Sequence, residues 1–319
     1  MSRTVNIAQT RAEMVQIVFP EHINVRGSLY GGRMMAWIAT AGTLAASRLS
    51  RGMVVLGAMD DLDFLHPVLL SDIVTLDAVV TDVGRSSMEV DVVVHAEMPT
   101  TGQRHRTTTA HLAFVAVDEG GRPRPVGVRI VPEGDEEERM HALAKQRRER
   151  RSSRIAAHRR PPEEGDRPTR HFLEVCRIVF PEDAIAGNLM FAGSVMMDLD
   201  QVASIVALRY ARGPVVTASV DALDFVHPIR VGEIVHYRAA LNAVGRTSME
   251  IGVRVLSENP LTGEIAHTCS TFVTMVHMDF EGRPQPLPPY EPQTPEERRR
   301  WEEASARRQV RAARLAAAR

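Results

Sequence analysis

The sequence predicts an α+β protein built as a covalent pseudo-dimer: two copies of one small domain, each a curved antiparallel sheet around a central helix. Three observations carry this expectation. Residues 17–125 recur at 178–286 with a constant offset of 161 and no gap. Each copy holds one apolar run of helix length followed by four strand-like runs. Hairpin-linked strands in such a sheet leave one edge free, and pairing the copies edge to edge covers it.

The repeat is read directly from its motifs. Ile17-Val18-Phe19-Pro20-Glu21 returns as Ile178-Val179-Phe180-Pro181-Glu182, and Asp63-Phe64-Leu65-His66-Pro67 returns as Asp224-Phe225-Val226-His227-Pro228. Gly84-Arg85-Ser86-Ser87-Met88-Glu89 returns as Gly245-Arg246-Thr247-Ser248-Met249-Glu250, and Gly121-Arg122-Pro123 as Gly282-Arg283-Pro284. A repeat of this size is a whole domain and not a solenoid unit.

The elements follow in order. Ala12–Phe19 is a short strand candidate that ends at Pro20, and a loop holding Asn24, Gly27 and Gly31-Gly32 comes next. The run from Met34 to Leu49 contains Ala36, Ile38, Ala39, Ala41, Leu44 and Ala45 and few charges. It is long enough for a helix, and the lack of a polar face implies burial on most sides. Gly52 stops it. Met53–Leu65 is the next strand and ends at His66-Pro67. Asp72–Asp82 alternates Ile73, Thr75 and Asp77 with Val74, Leu76, Ala78 and Val80, a half-buried pattern. Ser86–Glu97 sets Met88, Val90, Val92 and Val94 against Glu89, Asp91 and Val93. His105–Val117 closes the unit before the turn Glu119-Gly120-Gly121, and the second copy repeats the order with its helix near Val195–Arg209.

Between the copies, Pro132–Pro168 is rich in Arg and Glu and reads as a solvated helix followed by a flexible linker at Pro161-Pro162. Pro295–Arg319 is a similar Arg/Ala/Glu helix candidate, solvated or between subunits. The chain thus divides into a first domain at 12–126, a charged helical linker at 127–172, a second domain at 173–287 and an Arg-rich helical tail at 288–319.

Composition excludes several classes. Of 319 residues, 44% are apolar and 25% charged, which is the profile of a soluble globular protein. A net charge of −1 gives no global reason to expect nucleic acid or a membrane as partner. Residues 1–16 are polar, and no run of 18 apolar residues exists to span a bilayer. Cys176 and Cys269 suggest neither a disulfide framework nor a zinc site, so a cytoplasmic location is expected.

The chemistry is expected where the copies differ. Each has a glycine-marked loop feeding its helix: Asn24-Val25-Arg26-Gly27-Ser28-Leu29-Tyr30-Gly31-Gly32 in the first, Ile185-Ala186-Gly187-Asn188-Leu189-Met190-Phe191-Ala192-Gly193 in the second. A helix N-terminus offers unpaired N–H groups and partial positive charge, which suits a carbonyl oxygen gaining charge under attack. Seven residues after Gly32 stands Ala39; seven after Gly193 stands Asp200. Eight residues before those glycines stand Asn24 and Ile185. A carboxylate in an apolar helix is costly unless it is hydrogen-bonded or has a task. The alternative is a helix residue facing a water-filled gap.

Asn-x-x-Gly-x-x-x-Gly-Gly, an Asp seven residues on, a later Phe-x-x-Pro and Gly-x-(Ser/Thr)-Ser together resemble the hotdog-fold acyl-CoA thioesterases, in particular their tandem double-hotdog branch. The likeness covers residues 12–126 and 173–287. It implies an active site where two hotdog units meet, with Asn24 from one and Asp200 from the other. The reciprocal pair is Ile185 and Ala39, so the resemblance implies one working and one dead site. The reaction implied is hydrolysis of acyl-CoA, with Asp200 as general base or direct nucleophile and Asn24 orienting the water or the carbonyl. The N–H of Gly32, with that of Gly31, would hold the oxyanion. No metal or cofactor is expected, coenzyme A being part of the substrate. The resemblance also suggests a homo-oligomer, with a trimer of double-hotdog chains as the arrangement.

This sequence departs from the family at His66 and His227, where Arg is common, and at Ala192-Gly193, where Gly-Gly is usual. The two histidines occur in both copies and read as structural. Arg85, Ser87, Arg246, Thr247 and Ser248 are candidates for contact with coenzyme A, or are simply exposed turn residues. Met34, Met35, Met190, Met196 and Met197 line an adaptable acyl tunnel or ordinary core. Two other functions compete: a non-catalytic acyl-CoA-binding regulator, and a hotdog dehydratase or hydratase drawing on Glu21-His22 or Glu182-Asp183.

Overall fold

The computed structural model describes residues 3–158 and 169–317. The first half runs β1 (Arg3–Val5), β2 (Ala12–Ile17), α1 (Gly31–Ser50), β3 (Val54–Met59), β4 (Leu62–Asp63), β5 (Ile73–Val83), β6 (Ser87–Met98), β7 (Gln103–Ala116), β8 (Val128–Ile130) and α2 (Gly134–His158). The second runs β9 (Phe172–Ile178), β10 (Ala184–Ala186), β11 (Leu189–Met190), α3 (Ala192–Ala211), β12 (Val215–Val220), β13 (Leu223–Asp224), β14 (Ile234–Val244), β15 (Ser248–Glu258), β16 (Ile265–His277) and α4 (Pro295–Ala317). The expected linker prolines, Pro161 and Pro162, lie outside the described residues.

Each half packs its helix on a six-stranded antiparallel sheet, and α1 and α3 pack against each other. This is the double-hotdog arrangement that the motifs imply. Ile38, Ala39, Ala41, Ala45 and Ala46 have no exposed surface because one side of α1 meets its own sheet and another meets α3. The alanines keep the helix thin, which lets both contacts form at once.

The strand expected at Met53–Leu65 is two strands, and this is the main correction to the sequence reading. It breaks at residues 60–61, and its second part crosses to the other half. Leu62 and Asp63 pair with Val220 and Ser219 of β12, while Leu223 and Asp224 pair with Met59 and Ala58 of β3. The sheet orders are therefore β13-β3-β7-β6-β5-β2 and β4-β12-β16-β15-β14-β9, each ending on a strand from the other half. The break has an anchor: the Asp61 carboxylate accepts the Ala222 N–H at 2.9 Å, and the Asp60 N–H is donated to the His111 carbonyl.

Two boundaries also differ. The helix begins at Gly31, three residues before the apolar run. It is ended by Arg51, which takes the left-handed conformation (φ 52°), as Arg212 does after α3 (φ 57°). Gly52 serves a different purpose, since a Cβ there would lie 2.3 Å from the Arg124 guanidinium.

The Arg-rich helices are not solvated on all sides. α2 covers acidic side chains on the outer faces of β5 and β6. Arg151 donates to both Glu89 oxygens at 2.9 and 3.0 Å and to Asp60 at 2.9 Å, with Glu89 and Arg151 both buried. Arg147 reaches Asp91 at 2.7 Å and Arg148 reaches Asp82 at 2.6 Å. In the second half Arg307 and Arg311 hold Glu250, and Arg311 also holds Asp221 at 2.7 Å. Arg154 then pairs with Asp224 on β13, and Arg314 with Asp63 on β4. Each helix thus clamps the strand donated by the other half. The correspondence Glu137/Glu297, Arg147/Arg307, Arg151/Arg311 and Arg154/Arg314 has an offset of 160, so the structural repeat runs on into these helices with one residue fewer between.

Removing one partner of a buried ion pair strands the other charge. Arg151→Ala should therefore lower stability by about 3–5 kcal/mol in urea unfolding, and the double variant Arg151→Met, Glu89→Leu should recover most of it.

Candidate functional site

The loop between β2 and α1 is organised by Asn24. Its Oδ1 accepts the Arg26 N–H at 2.9 Å, and its Nδ2 donates to Ser28 Oγ at 2.9 Å. Gly27 takes φ +77° with open space around it, so backbone conformation alone requires glycine there. The loop delivers the chain to Tyr30, which is extended and gives α1 no side-chain cap.

The cap comes from the other half. Asp200 Oδ2, on α3, accepts the Gly32 N–H at 2.8 Å, and Thr217, on β12, donates its hydroxyl to Asp200 Oδ1 at 2.7 Å. A Cβ on Gly32 would lie 2.8 Å from Asp200 Cβ and 2.9 Å from Met197 Cα; one on Gly31 would lie 2.7 Å from Thr217 Cβ. Both glycines are thus demanded by close packing across the pseudo-dimer. The Gly32 N–H is consequently not free for an oxyanion, contrary to the sequence expectation. Gly31 has no protein acceptor for its N–H among the described residues, and it lines the cavity beside it.

Asp200 has no exposed surface. Burial pushes its carboxyl above the usual aspartate range, and the hydrogen bonds from Thr217 and Gly32 pull it part of the way back. Immediately beside it lies a cavity of about 550 Å³ bordered by Asn24, Ser28 and Gly31 from the first half and by Ser204, Thr217 and Met278 from the second. At its rim the Arg26 guanidinium crosses to the turn at Gly282, 3.1 Å from where a Cβ would stand.

The pseudo-symmetric location holds a smaller cavity of about 250 Å³. Asn24, Ser28, Asp200 and Thr217 are replaced there by Ile185, Leu189, Ala39 and Leu56. Three of these, Ile185, Leu189 and Leu56, line that cavity. Ser28 and Thr217 escaped the sequence reading, although the gapless repeat marks them: each is a polar residue whose counterpart is leucine. Ala192 stands at the position of Gly31, and Leu56 at that of Thr217.

The remaining candidates scatter. His66 lines the larger cavity with its ring edge-on to His105, and His227 lines the smaller. Met34 borders the larger cavity and Met190 the smaller, while Met35 and Met196 are core. Arg85, Ser87, Arg246, Thr247 and Ser248 sit at the turns before β6 and β15, where the Arg85 and Arg246 carbonyls accept the Val126 and Leu287 N–H groups. They line neither cavity.

The comparisons with known proteins bear on the family and the fold. The thioesterase superfamily model matches residues 26–103 and 187–264. Mouse acyl-coenzyme A thioesterase 11 is 30% identical over 95% of the chain, but the chain spans only 53% of that protein's length. Mouse cytosolic acyl coenzyme A thioester hydrolase is 30% identical over 92% of the chain and 81% of its own. An acyl-ACP thioesterase structure from Bacteroides thetaiotaomicron superposes with a TM-score of 0.54 over 84% of this chain and 98% of that one. At 12% identity it speaks for the fold alone.

The buried carboxyl gives a test that needs no substrate. A carboxyl whose folded pKa lies above its unfolded value contributes stability that is present below the unfolded pKa and lost as pH rises through the folded one. Asp200→Asn keeps the shape and both hydrogen-bonded neighbours without the charge. The variant should unfold at higher denaturant than the parent at pH 7, and the difference should close as the pH falls to about 4, the ordinary aspartate value.

Proposed function

The chain belongs to the thioesterase superfamily, and from that premise we propose that it hydrolyses fatty acyl-CoA to a free fatty acid and coenzyme A at one composite site per chain. One observation carries the reading: Asn24, Ser28 and Thr217 line the larger cavity with Asp200 hydrogen-bonded behind Thr217, and the four symmetry mates are aliphatic. Packing alone would treat both sides alike.

In the proposed reaction the thioester carbonyl lies at the start of α1, where the Gly31 N–H stabilises the developing oxyanion. Asn24 and the Thr217 hydroxyl position the attacking water. Asp200 takes its proton as the new C–O bond forms, and returns it to the departing sulfur as the C–S bond breaks. Direct attack by Asp200, through a mixed anhydride, uses the same residues. A base with a raised pKa suits this task because it binds the proton more firmly than an exposed aspartate would. The chemistry calls for no metal or other cofactor, the Met34 side of the cavity accepts the acyl chain, and a cytosolic location follows the naming of one relative. A homo-oligomer, as a trimer of chains, completes the proposal.

Full burial of Asp200 favours a second reading, a non-catalytic acyl-CoA-binding regulator. His22 Nδ1 accepts the Phe19 N–H and His22 lines neither cavity, which weighs against a hydratase built on Glu21-His22.

Thiol release from a panel of acyl-CoA lengths separates hydrolysis from binding. Asn24→Ala and Asp200→Ala should each lower kcat by about 100-fold or more, and Ile185→Ala should leave it unchanged. Full activity in Asp200→Ala would overturn the proposal. Activity should fall as acid protonates Asp200. Thr217→Val removes a hydrogen bond that lowers the Asp200 pKa, so it should move this acid limb to higher pH.

A further inference from the structure

A second group of reactive side chains lies on the outer face of the second sheet, away from both cavities. Glu174 and Cys176 are alternate residues of the edge strand β9, so they share a face. His236 on β14 stands directly opposite Cys176 in the register. Its Nδ1 lies 3.1 Å from Cys176 Sγ and 3.3 Å from Glu174 Oε1. The three ligand atoms all fall within 4.8 Å of one another. Across a tetrahedral zinc ion a nitrogen and an oxygen stand about 3.3 Å apart, and a nitrogen and a sulfur about 3.6 Å. The first spacing is already present, and the second needs an opening of about 0.5 Å.

The surroundings orient these ligands. Glu258 Oε2 lies 2.6 Å from His236 Nε2, and by accepting its proton it leaves the Nδ1 lone pair turned toward Cys176 and Glu174. A carboxylate behind a histidine is the usual means of fixing the tautomer of a metal ligand. Arg238 Nε donates to the same Glu174 Oε1 at 2.8 Å and steadies that carboxylate.

The repeat shows that the fold does not require this group. Glu174 and Glu258 have counterparts in Glu13 and Glu97, but Cys176 and His236 correspond to Val15 and Thr75. The two softer donors exist only in the second half, side by side. We propose that Glu174, Cys176 and His236 bind one zinc ion, with water as the fourth ligand and Glu258 orienting His236. The thiol proton leaves to solvent as the Zn–S bond forms. The ion ties β9, which is an edge strand among the described residues, to β14. This site is independent of the hydrolytic reading.

The test is zinc titration of the full chain against a chromogenic chelator, with thermal unfolding in parallel. The expected result is one equivalent withheld per chain and a higher unfolding midpoint with zinc. Cys176→Val and His236→Thr, which restore the residues of the first half, should lose both effects, while Asp200→Ala should keep them. Zinc retention by the parent no greater than by Cys176→Val, or one full equivalent retained by Cys176→Val, would overturn the proposal.

Discussion

Gly32 and Asp200 meet where the two central helices pack against each other, and the rest of the molecule is arranged around that contact. The amide at the start of one helix needs an acceptor, and the carboxylate buried in the other needs donors. Each satisfies the other only because no side chain stands between them. The approach also seats Thr217 on the second carboxylate oxygen. The result is a carboxyl group behind the cavity wall, carried by one repeat and hydrogen-bonded to the backbone of the other. Neither half can make this contact by itself.

Holding a carboxylate there costs stability, and the interface around it offsets the cost in two ways. Each sheet ends on a two-residue strand from the other half, so the sheets cannot separate without breaking each other's edges. Each Arg-rich helix then fixes the donated strand through a guanidinium–carboxylate pair, Arg154 with Asp224 and Arg314 with Asp63. Arginine suits this role because its planar fork meets both carboxylate oxygens at once.

Covalent fusion makes the asymmetry affordable. In a dimer of identical domains, an aspartate on the central helix would be buried twice and each glycine loop would have to serve both faces. In a fused chain the second copy is free of that duty. Leu56, Ile185 and Leu189 line the smaller cavity there with apolar side chains that need no hydrogen-bond partners, and Ala39 stands in the place of the aspartate.

The sequence by itself determined the duplication, the central helices and most strand positions, and it marked Asn24 and Asp200 as positions where the copies differ. These were legible because burial imposes a periodicity on each element, and because a gapless repeat turns every polar difference into a signal. Only the tertiary structure decided which strand end crosses over, why two glycines open α1, and that the Gly32 amide serves Asp200. The same holds for the acidic surface beneath the Arg-rich helices, whose charges look solvated in isolation. Each of these depends on what stands opposite a residue in space, at separations of about 60 to 250 positions along the chain, as in Glu89 with Arg151 or Asp63 with Arg314. Local pattern reports whether a side chain is buried. It does not report against what.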